Sequence, residues 1–437
     1  MRNVRSDQRC HALTPFPFLT YPNKGETMKL TPKGMRDILP EDMLVRKAVI
    51  EKIESVYRRY GFRPLETPAM EYLDTLKAKA GEEVDKQIFS LEGEKLALRF
   101  DLTVPLARVA ATNTFPRPFK RYAIDRVWRK EEPQRGRFRE FWQADVDIIG
   151  SASMRCEAEL LRMANEICAD FGFDKPLILL NSRKILDALS EKLGLGDKKA
   201  DVFRALDKLD KIGEGEVQNE IASIAGDKKA EDLFRLIRTE GTNNQKLKAA
   251  EELCKEAADE LRAIIELCDF EVVVDLSLVR GLGYYTGTVF EIKLAKGMGT
   301  VVAGGRYDNL LGIYGQPDPA VGISVGIERL ITLLLERDGK EKKTYSRVFV
   351  ACAKPEFYKE AVRIAGRFRE AGIEAETDLS ERNLRKQFDY ANALSINYIA
   401  IIGEREVKSN TITLRDMASG NEESLGMEEA IRKLGVD

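Results

Sequence analysis

Arg129-Lys130-Glu131-Glu132-Pro133-Gln134-Arg135-Gly136-Arg137-Phe138-Arg139-Glu140-Phe141-Trp142-Gln143 is the stretch on which the fold turns. It is dense in charge and lies between two strand-like runs, residues 122–128 before it and 141–149 after it. Two such runs joined by a polar, glycine-containing loop predict a long hairpin. A charged hairpin tip is ordinarily a solvated loop. Here every basic residue except Lys130 is an arginine, the side chain suited to bidentate phosphate contact. Strands emerging on both sides would give that loop rigid support.

Upstream, Val49, Ile53, Val56 and Tyr60 recur at helical spacing within residues 42–60, with Asp42 the expected N-cap and Gly61 the expected stop. Residues 65–70 read as extended, with Pro68 pointing to an edge or interface. Residues 95–100 read as a further strand. Downstream, residues 151–268 read as helical, on apolar sets such as Ile185, Leu186 and Leu189, then Phe203, Leu206 and Leu209, then Leu261, Ile264 and Ile265. The β pattern resumes at 272–276, 287–293 and 299–303, and 323–335 reads as a strand turning into a helix. The charged run 336–343, containing Gly339, is a linker. Beyond it, strand and helix alternate at 348–351, 356–370, 373–376, 383–394 and 398–402, which predicts a small domain with a largely parallel sheet.

A chain of 437 residues is too long for one ordinary core, so two or three domains are expected. Its 70 basic and 72 acidic residues nearly cancel, so a nucleic-acid partner would have to be held by local basic patches. There is one histidine, His11. Ser-His-Asp and Cys-His catalysis, histidine-ligated metals and histidine general bases are thereby excluded from the folded body. The chemistry must come from carboxylates, arginines, lysines, hydroxyls or backbone. Six cysteines without paired spacing suggest buried thiols in a reducing, cytoplasmic compartment. No apolar run approaches the ~20 residues of a membrane span. Residues 1–27 make a poor signal peptide, and we expect a disordered or over-extended tail with Met28 as the natural start.

Three further segments bear on chemistry. In Ala320-Val321-Gly322-Ile323-Ser324-Val325-Gly326-Ile327-Glu328-Arg329-Leu330, two glycines an even four residues apart line one strand face, which would let a flat ring lie against the backbone. Leu278-Val279-Arg280-Gly281-Leu282-Gly283-Tyr284-Tyr285-Thr286-Gly287-Thr288-Val289-Phe290-Glu291 sets an arginine ahead of a glycine- and tyrosine-rich turn. Arg99-Phe100-Asp101-Leu102-Thr103 offers a carboxylate and a hydroxyl.

The 129–143 stretch closely resembles motif 2 of class II aminoacyl-tRNA synthetases in its histidyl form, and 320–330 resembles motif 3. The helix before Gly61 and the strand with Pro68 stand where the family has motif 1, its dimer interface. The segment around Arg280 is a near match to a signature of histidyl-tRNA synthetases, and Gly304-Gly305-Arg306-Tyr307-Asp308 matches the accompanying one, with a supporting, pocket-lining role. The resemblance implies an α/β fold: an α+β catalytic domain built on an antiparallel sheet flanked by helices, with a helical insertion and a C-terminal α/β anticodon-binding domain. The expected divisions are a 1–27 extension, catalytic parts at 28–175 and 269–335, the insertion at 176–268, a linker at 336–346 and the anticodon-binding domain at 347–437. Leu384-Arg385-Lys386-Gln387-Phe388 matches a stretch the family places on a helix there.

By the same resemblance Arg129 contacts the ATP α-phosphate, Glu131 the adenine side, and Arg137 and Arg329 the outer phosphates. Arg280 lies beside the α-phosphate and the substrate carboxylate, so Arg129 and Arg280 are the catalytic pair. Asp101, Thr103 and Gln143 would hold the histidine ammonium, and Asp147 and Tyr285, with Tyr284 alongside, the imidazole. Gly283 stands where the family usually has an aspartate, and Glu132 where some members have a basic residue. The implied reaction is attack of the histidine carboxylate on ATP, assisted by Mg²⁺, followed by transfer to the 3′ end of tRNA(His). No protein nucleophile is needed, in keeping with the shortage of histidine. A pocket built on hydrogen bonds rejects analogues lacking the partner by roughly 10⁴–10⁵, so no editing domain is expected. A homodimer without membrane association is implied. The alternative is a non-catalytic paralogue serving as regulatory subunit of ATP phosphoribosyltransferase.

Overall fold

The protein is described by a computed structural model over residues 31–78, 82–133, 136–279, 284–294, 299–315, 317–339 and 343–435. The extension 1–27, Arg280 and Gly283 lie outside the described residues.

The strands, in chain order, are β1 (Arg63–Pro64), β2 (Met70–Tyr72), β3 (Leu96–Leu98), β4 (Phe119–Trp128), β5 (Glu140–Ile149), β6 (Leu177–Ser182), β7 (Val273–Val274), β8 (Thr288–Lys293), β9 (Val302–Arg306), β10 (Ala320–Gly326), β11 (Val348–Cys352), β12 (Ala375–Thr377), β13 (Tyr398–Ile402), β14 (Ile412–Asp416) and β15 (Glu422–Leu425). Eight of them form one sheet in the order β1-β4-β5-β10-β9-β8-β6-β7. Its pairings are antiparallel except at the two ends, where β1 joins β4 and β7 joins β6 in parallel.

The hairpin expected around residues 129–143 is the β4–β5 pair, in register from Phe119 opposite Ile149 to Trp128 opposite Glu140. Strand alternation then divides the sheet into two unlike faces. Tyr122, Val146, Ile323 and Phe290 point into an apolar core, against the helices Pro40–Arg59, Arg155–Asp170 and Ile327–Asp338. The other face carries polar residues in register: Arg121, Asp147, Gly322 and Gly305 in one row, and Asp145, Ser324, Ala303 and Glu291 in the next. A sheet with a polar inner face is a platform for a site.

Four local readings need correction. The first helix begins at Pro40, so Asp42 sits in its first turn rather than at the cap. A proline at the start loses no helical hydrogen bond and needs no side-chain cap. Within residues 65–70 only Met70 is in a strand, and the paired segments are β1 and β2. The helical stretch 151–268, and with it the segment 176–268, contains β6, a strand of the large sheet. The C-terminal sheet, ordered β12-β11-β13-β14-β15, is parallel across its first three strands and antiparallel across the last two. It has its own apolar cores, including Val348, Phe368 and Ile412 on one side and Phe349, Ile396 and Ile399 on the other.

The candidate active site

Asp101, Thr103, Arg129, Glu131, Arg137, Gln143, Asp147, Tyr284, Tyr285 and Arg329 all line one cleft of about 1950 Å³ over the polar sheet face. Of the residues singled out for the site, only Arg280 is not placed, because it lies outside the described residues.

The floor at one end is a cluster of buried carboxylates. Asp147 lies on β5 beside Arg121 of β4, whose guanidinium is wholly buried (0% exposed) and 2.7 Å from Asp147 Oδ2. The Tyr307 hydroxyl donates to Asp147 Oδ1, and Arg121 also donates to the Leu102 carbonyl at 3.0 Å. Gly322 is directly opposite Asp147, and a Cβ there would lie 2.1 Å from Oδ1. Gly322 therefore makes room for a carboxylate and not, as the glycine spacing had suggested, for a flat ring. Gly326, next but three along the strand, keeps a more open face, with the Val301 carbonyl 3.4 Å from its would-be Cβ.

Asp101 precedes the helix Thr103–Thr112, and its Oδ1 accepts the Val104 amide at 3.0 Å. Its other oxygen, Oδ2, is shielded from solvent and has no hydrogen-bond partner among the described residues, and the same holds for Asp145 Oδ1 and for Asp147 Oδ2, which has only its ion pair with Arg121. A buried acceptor left unpaired costs about 1–3 kcal/mol, more if charged, and a donor brought by a ligand would recover that. Burial accordingly pushes Asp101 up to about 6, with Val104 and Arg129 holding it back. Burial likewise pushes Asp145 up to about 7, opposed by Arg121 and reinforced by Asp147. Asp147 is raised too, by burial, with Arg121 and Tyr307 pulling it down.

Beside these carboxylates stand the tyrosines. The Tyr284 ring packs against Tyr285 at 4.9 Å and edge-on to Tyr307 at 5.9 Å, and its buried hydroxyl is raised well above the ordinary range, by burial first. Tyr285 lies against the sheet, its ring 2.8 Å from a would-be Cβ on Gly305.

The other end of the cleft is arginine-rich. Arg129 Nε donates to the Phe100 carbonyl at 2.8 Å, its Nη2 reaches Gln143 Oε1 at 3.4 Å, and its guanidinium lies 5.1 Å from the Phe141 ring centre. Arg137 pairs loosely with Glu131 at 3.4 Å. Arg329, at the start of the helix Ile327–Asp338, donates to the Thr300 carbonyl and passes 3.5 Å from a would-be Cβ on Gly136 at the hairpin tip. Arg137 and Arg329 come from segments far apart in sequence and meet at the same end. Its preceding neighbour Glu328 points the other way, buried between Arg36 and Arg46 at 2.5 and 2.6 Å. Arg36 also lies 3.8 Å from the Phe138 ring centre, tying residues ahead of the first helix to the hairpin. Arg183, Phe203, Arg204 and Lys211 from the helical segment form the far wall.

Some quoted residues turn out to be structural. Arg99 is buried against Asp125 at 2.6 Å and the Thr67 carbonyl. Arg306 clasps Glu157 through Nε and Nη2 at 2.7 and 2.8 Å, fastening β9 to the helix Arg155–Asp170, while its neighbour Tyr307 turns into the cleft. In the C-terminal unit, Gln387 is buried and bonds both ways to the Cys352 backbone, leaving Arg385 and Lys386 exposed on the helix Leu384–Ala393. Sequence reasoning missed Arg121, Asp145 and Ser324. The signal for Asp145 was present: Gln143, Asp145 and Asp147 alternate along one strand and must share a face.

Comparison with known proteins agrees with this geometry. The family described as Histidyl-tRNA synthetase matches residues 34–330, and the family described as Anticodon binding domain matches residues 347–436. A protein of Korarchaeum cryptofilum named Histidine--tRNA ligase is 40% identical over 400 residues, covering 88% of this chain and 93% of its own length. The Histidine--tRNA ligase of Nanoarchaeum equitans is 39% identical, covering 93% of this chain and all (100%) of its own. Among solved structures, the histidyl-tRNA synthetase of Nostoc sp. PCC 7120 superimposes with a TM-score of 0.80 at 29% identity, over 93% of this chain and 100% of that one.

Proposed function

The chain belongs to the histidyl-tRNA synthetase family, and from that premise we propose that it activates histidine with ATP and ligates it to the 3′ end of tRNA(His). One observation carries the reading. A buried acidic floor, where among the described residues Asp101 Oδ2, Asp145 Oδ1 and Asp147 Oδ2 have no hydrogen-bond partner, shares a single cleft with Arg129, Arg137 and Arg329. An amino acid with two cationic or N–H-bearing groups suits the first part, and a triphosphate suits the second.

In this reading Asp101, Thr103 and Gln143 receive the ammonium group, and Asp147 and Tyr285 the ring. Tyr284, packed against Tyr285 and Tyr307, shapes the wall between them. Arg129 and Arg280 grip the α-phosphoryl oxygens as charge grows there, with Arg280 also on the histidine carboxylate. Arg137 and Arg329 hold the outer phosphates, and Glu131 borders the adenine. Holding the carboxylate in line with the α-phosphorus supplies orientation, and no side chain need act as nucleophile. Magnesium suits the phosphate end, since it is bound by phosphates with one or two carboxylates, and Glu291 lines the cleft there with Thr300 donating to it. Bound there, it would neutralise the outer phosphates. Among the described residues no cluster of three or more His, Cys, Asp or Glu is placed as an all-protein metal cage.

The segment 176–268, apart from β6, would embrace the acceptor arm, and 347–437 would bind the anticodon. A homodimer is supported by the exposed Leu39, Met70 and Tyr72, which lie near the segments where the family pairs. A cytoplasmic setting is expected for such work; among the described residues no helix is long and apolar enough to cross a membrane. The regulatory-subunit alternative is the weaker reading, because the relatives are named ligases and the phosphate-gripping arginines share one cleft.

Charging of tRNA with radiolabelled histidine tests the proposal. Acid-precipitable label that depends on ATP and on tRNA(His) is expected. Absence of charging with a cognate transcript of the chain's own source would contradict it.

A further inference from the structure

Asp147 and Asp145 neighbour each other on one face of β5, but their surroundings differ. Asp147 accepts the Tyr307 hydroxyl at Oδ1 and has Oδ2 in an ion pair with Arg121, though without a hydrogen bond among the described residues. Asp145 is 3% exposed, sits directly opposite Ser324 on β10, and among the described residues keeps Oδ1 without a hydrogen-bond partner. The groups acting on it are Arg121 from β4, Asp147 from its own strand, Ser324 from β10, Asp101 ahead of the helix Thr103–Thr112, and the Tyr57 and Tyr284 hydroxyls. Three buried carboxylates therefore share one buried guanidinium, Arg121, and full ionisation of the cluster calls for two further positive charges. The ammonium of an amino acid supplies one of them.

Asp145 also neighbours a chain that leads to the phosphate end. Arg129 Nη2 donates to Gln143 Oε1 at 3.4 Å and Gln143 Nε2 donates to Ser324 Oγ at 2.7 Å, with Ser324 directly opposite Asp145 across the β5–β10 pair.

We propose that Asp145 is a specificity-determining residue of the histidine site: together with Asp147 it receives the ring as an imidazolium, one carboxylate to each ring N–H, and the Gln143–Ser324 relay holds it in place relative to Arg129. This rests on the histidine reading given above. A protonated ring supplies the second positive charge and the second N–H that the floor lacks. The rise of Asp145 to about 7, caused by burial first and opposed by Arg121, means that a cation laid against it draws out its charge near neutral pH.

The test is amino-acid-dependent ATP–pyrophosphate exchange by the full chain with histidine and with 1,2,4-triazole-3-alanine. That analogue has the shape of histidine and one ring N–H but does not take a second proton near neutral pH. Wild type should favour histidine. Asp145→Asn should raise the histidine KM about 10- to 100-fold, the worth of a hydrogen bond to a charged group, and leave the KM for ATP and for the analogue within about 3-fold. Ser324→Ala should shift the same ratio in the same direction by about 3- to 10-fold, which keeps the test decisive if the asparagine variant fails to fold. Unchanged discrimination in both variants, or equal KM increases for the two amino acids, would overturn the inference. If wild type shows no exchange with histidine, the histidine reading itself fails; if it does and the variants discriminate as wild type, only the role of Asp145 fails.

Discussion

Asp147 and Gly322 face each other across the β5–β10 pair, and the carboxylate of one occupies the space where a side chain on the other would stand, 2.1 Å from a would-be Cβ. Any side chain at residue 322 would displace Asp147 from Tyr307 and Arg121. Gly322→Ala is expected to raise the histidine KM at least about 10-fold and to cost about 1–3 kcal/mol of stability, as overpacking does. Exchange kinetics and a urea midpoint check the two parts. A variant with wild-type histidine KM would show that Asp147 can leave its place without consequence.

Arg121 is the only guanidinium paired with the carboxylate cluster at salt-bridge distance among the described residues. Arg121→Met would strand Asp147 as an uncompensated buried charge, a loss of about 3–5 kcal/mol. Adding Asp147→Asn to that variant should restore part of the stability while leaving histidine binding impaired. Denaturation midpoints of the two single variants and the double variant test this; strictly additive losses would mean that the pair does not interact.

Much of this site was legible before any coordinates, and the parts that were not share physical causes. The hairpin 129–143 announced itself because two strand-like runs flank a loop of arginines. Asp145 lies between Gln143 and Asp147, the two positions that the family motif marks, and the two-residue strand period places all three on one face. Arg121 could not be found by pattern: an arginine in a strand reads as outward-facing, and its burial depends on a partner in the next strand. The strand β6 was hidden because the continuous apolar run 177–180 is equally compatible with a buried helix. Of the last two strands of the C-terminal sheet, β15 is mostly exposed and gives no hydrophobic alternation, whereas β14 carries a short one in Ile412 and Leu414.

Asp101 and Asp145 stand at about 6 and about 7, pushed up by burial, against roughly 3.9 in an unfolded chain. The native protein thus retains protons that the unfolded chain has released. Their stabilising contribution is complete below about pH 4 and is lost as pH climbs through about 6 and 7. Melting temperature of the protein alone should therefore fall from about pH 5 to about pH 8, less steeply for Asp145→Asn. The gain from saturating histidine should rise as the carboxylates ionise and fall again as the free imidazole, at roughly 6.5, loses its proton, so it peaks between about pH 6 and about pH 7. Thermal melts with and without histidine measure both dependences, and a ligand-induced gain that climbs steadily to about pH 8 would contradict binding as an imidazolium.

Arg280 carries the most chemical weight in the proposal, with charge building on the α-phosphoryl oxygens beside it. Arg280→Ala is expected to slow adenylation about 10²–10³-fold, or roughly 2.7–4 kcal/mol, as loss of a preorganised donor does. Pre-steady-state adenylate formation reads this step apart from tRNA transfer. Near-normal rates would remove Arg280 from the mechanism.

The central claim is that one cleft joins an acidic amino-acid floor to an arginine-rich triphosphate end and that its amino acid is histidine. ATP–pyrophosphate exchange by the purified full chain, run in parallel with each of the standard amino acids, tests it most directly. Exchange that depends on histidine and exceeds every other amino acid by about 10⁴-fold or more in kcat/KM is the expected result. Exchange supported equally by another amino acid, or none with histidine, would contradict it.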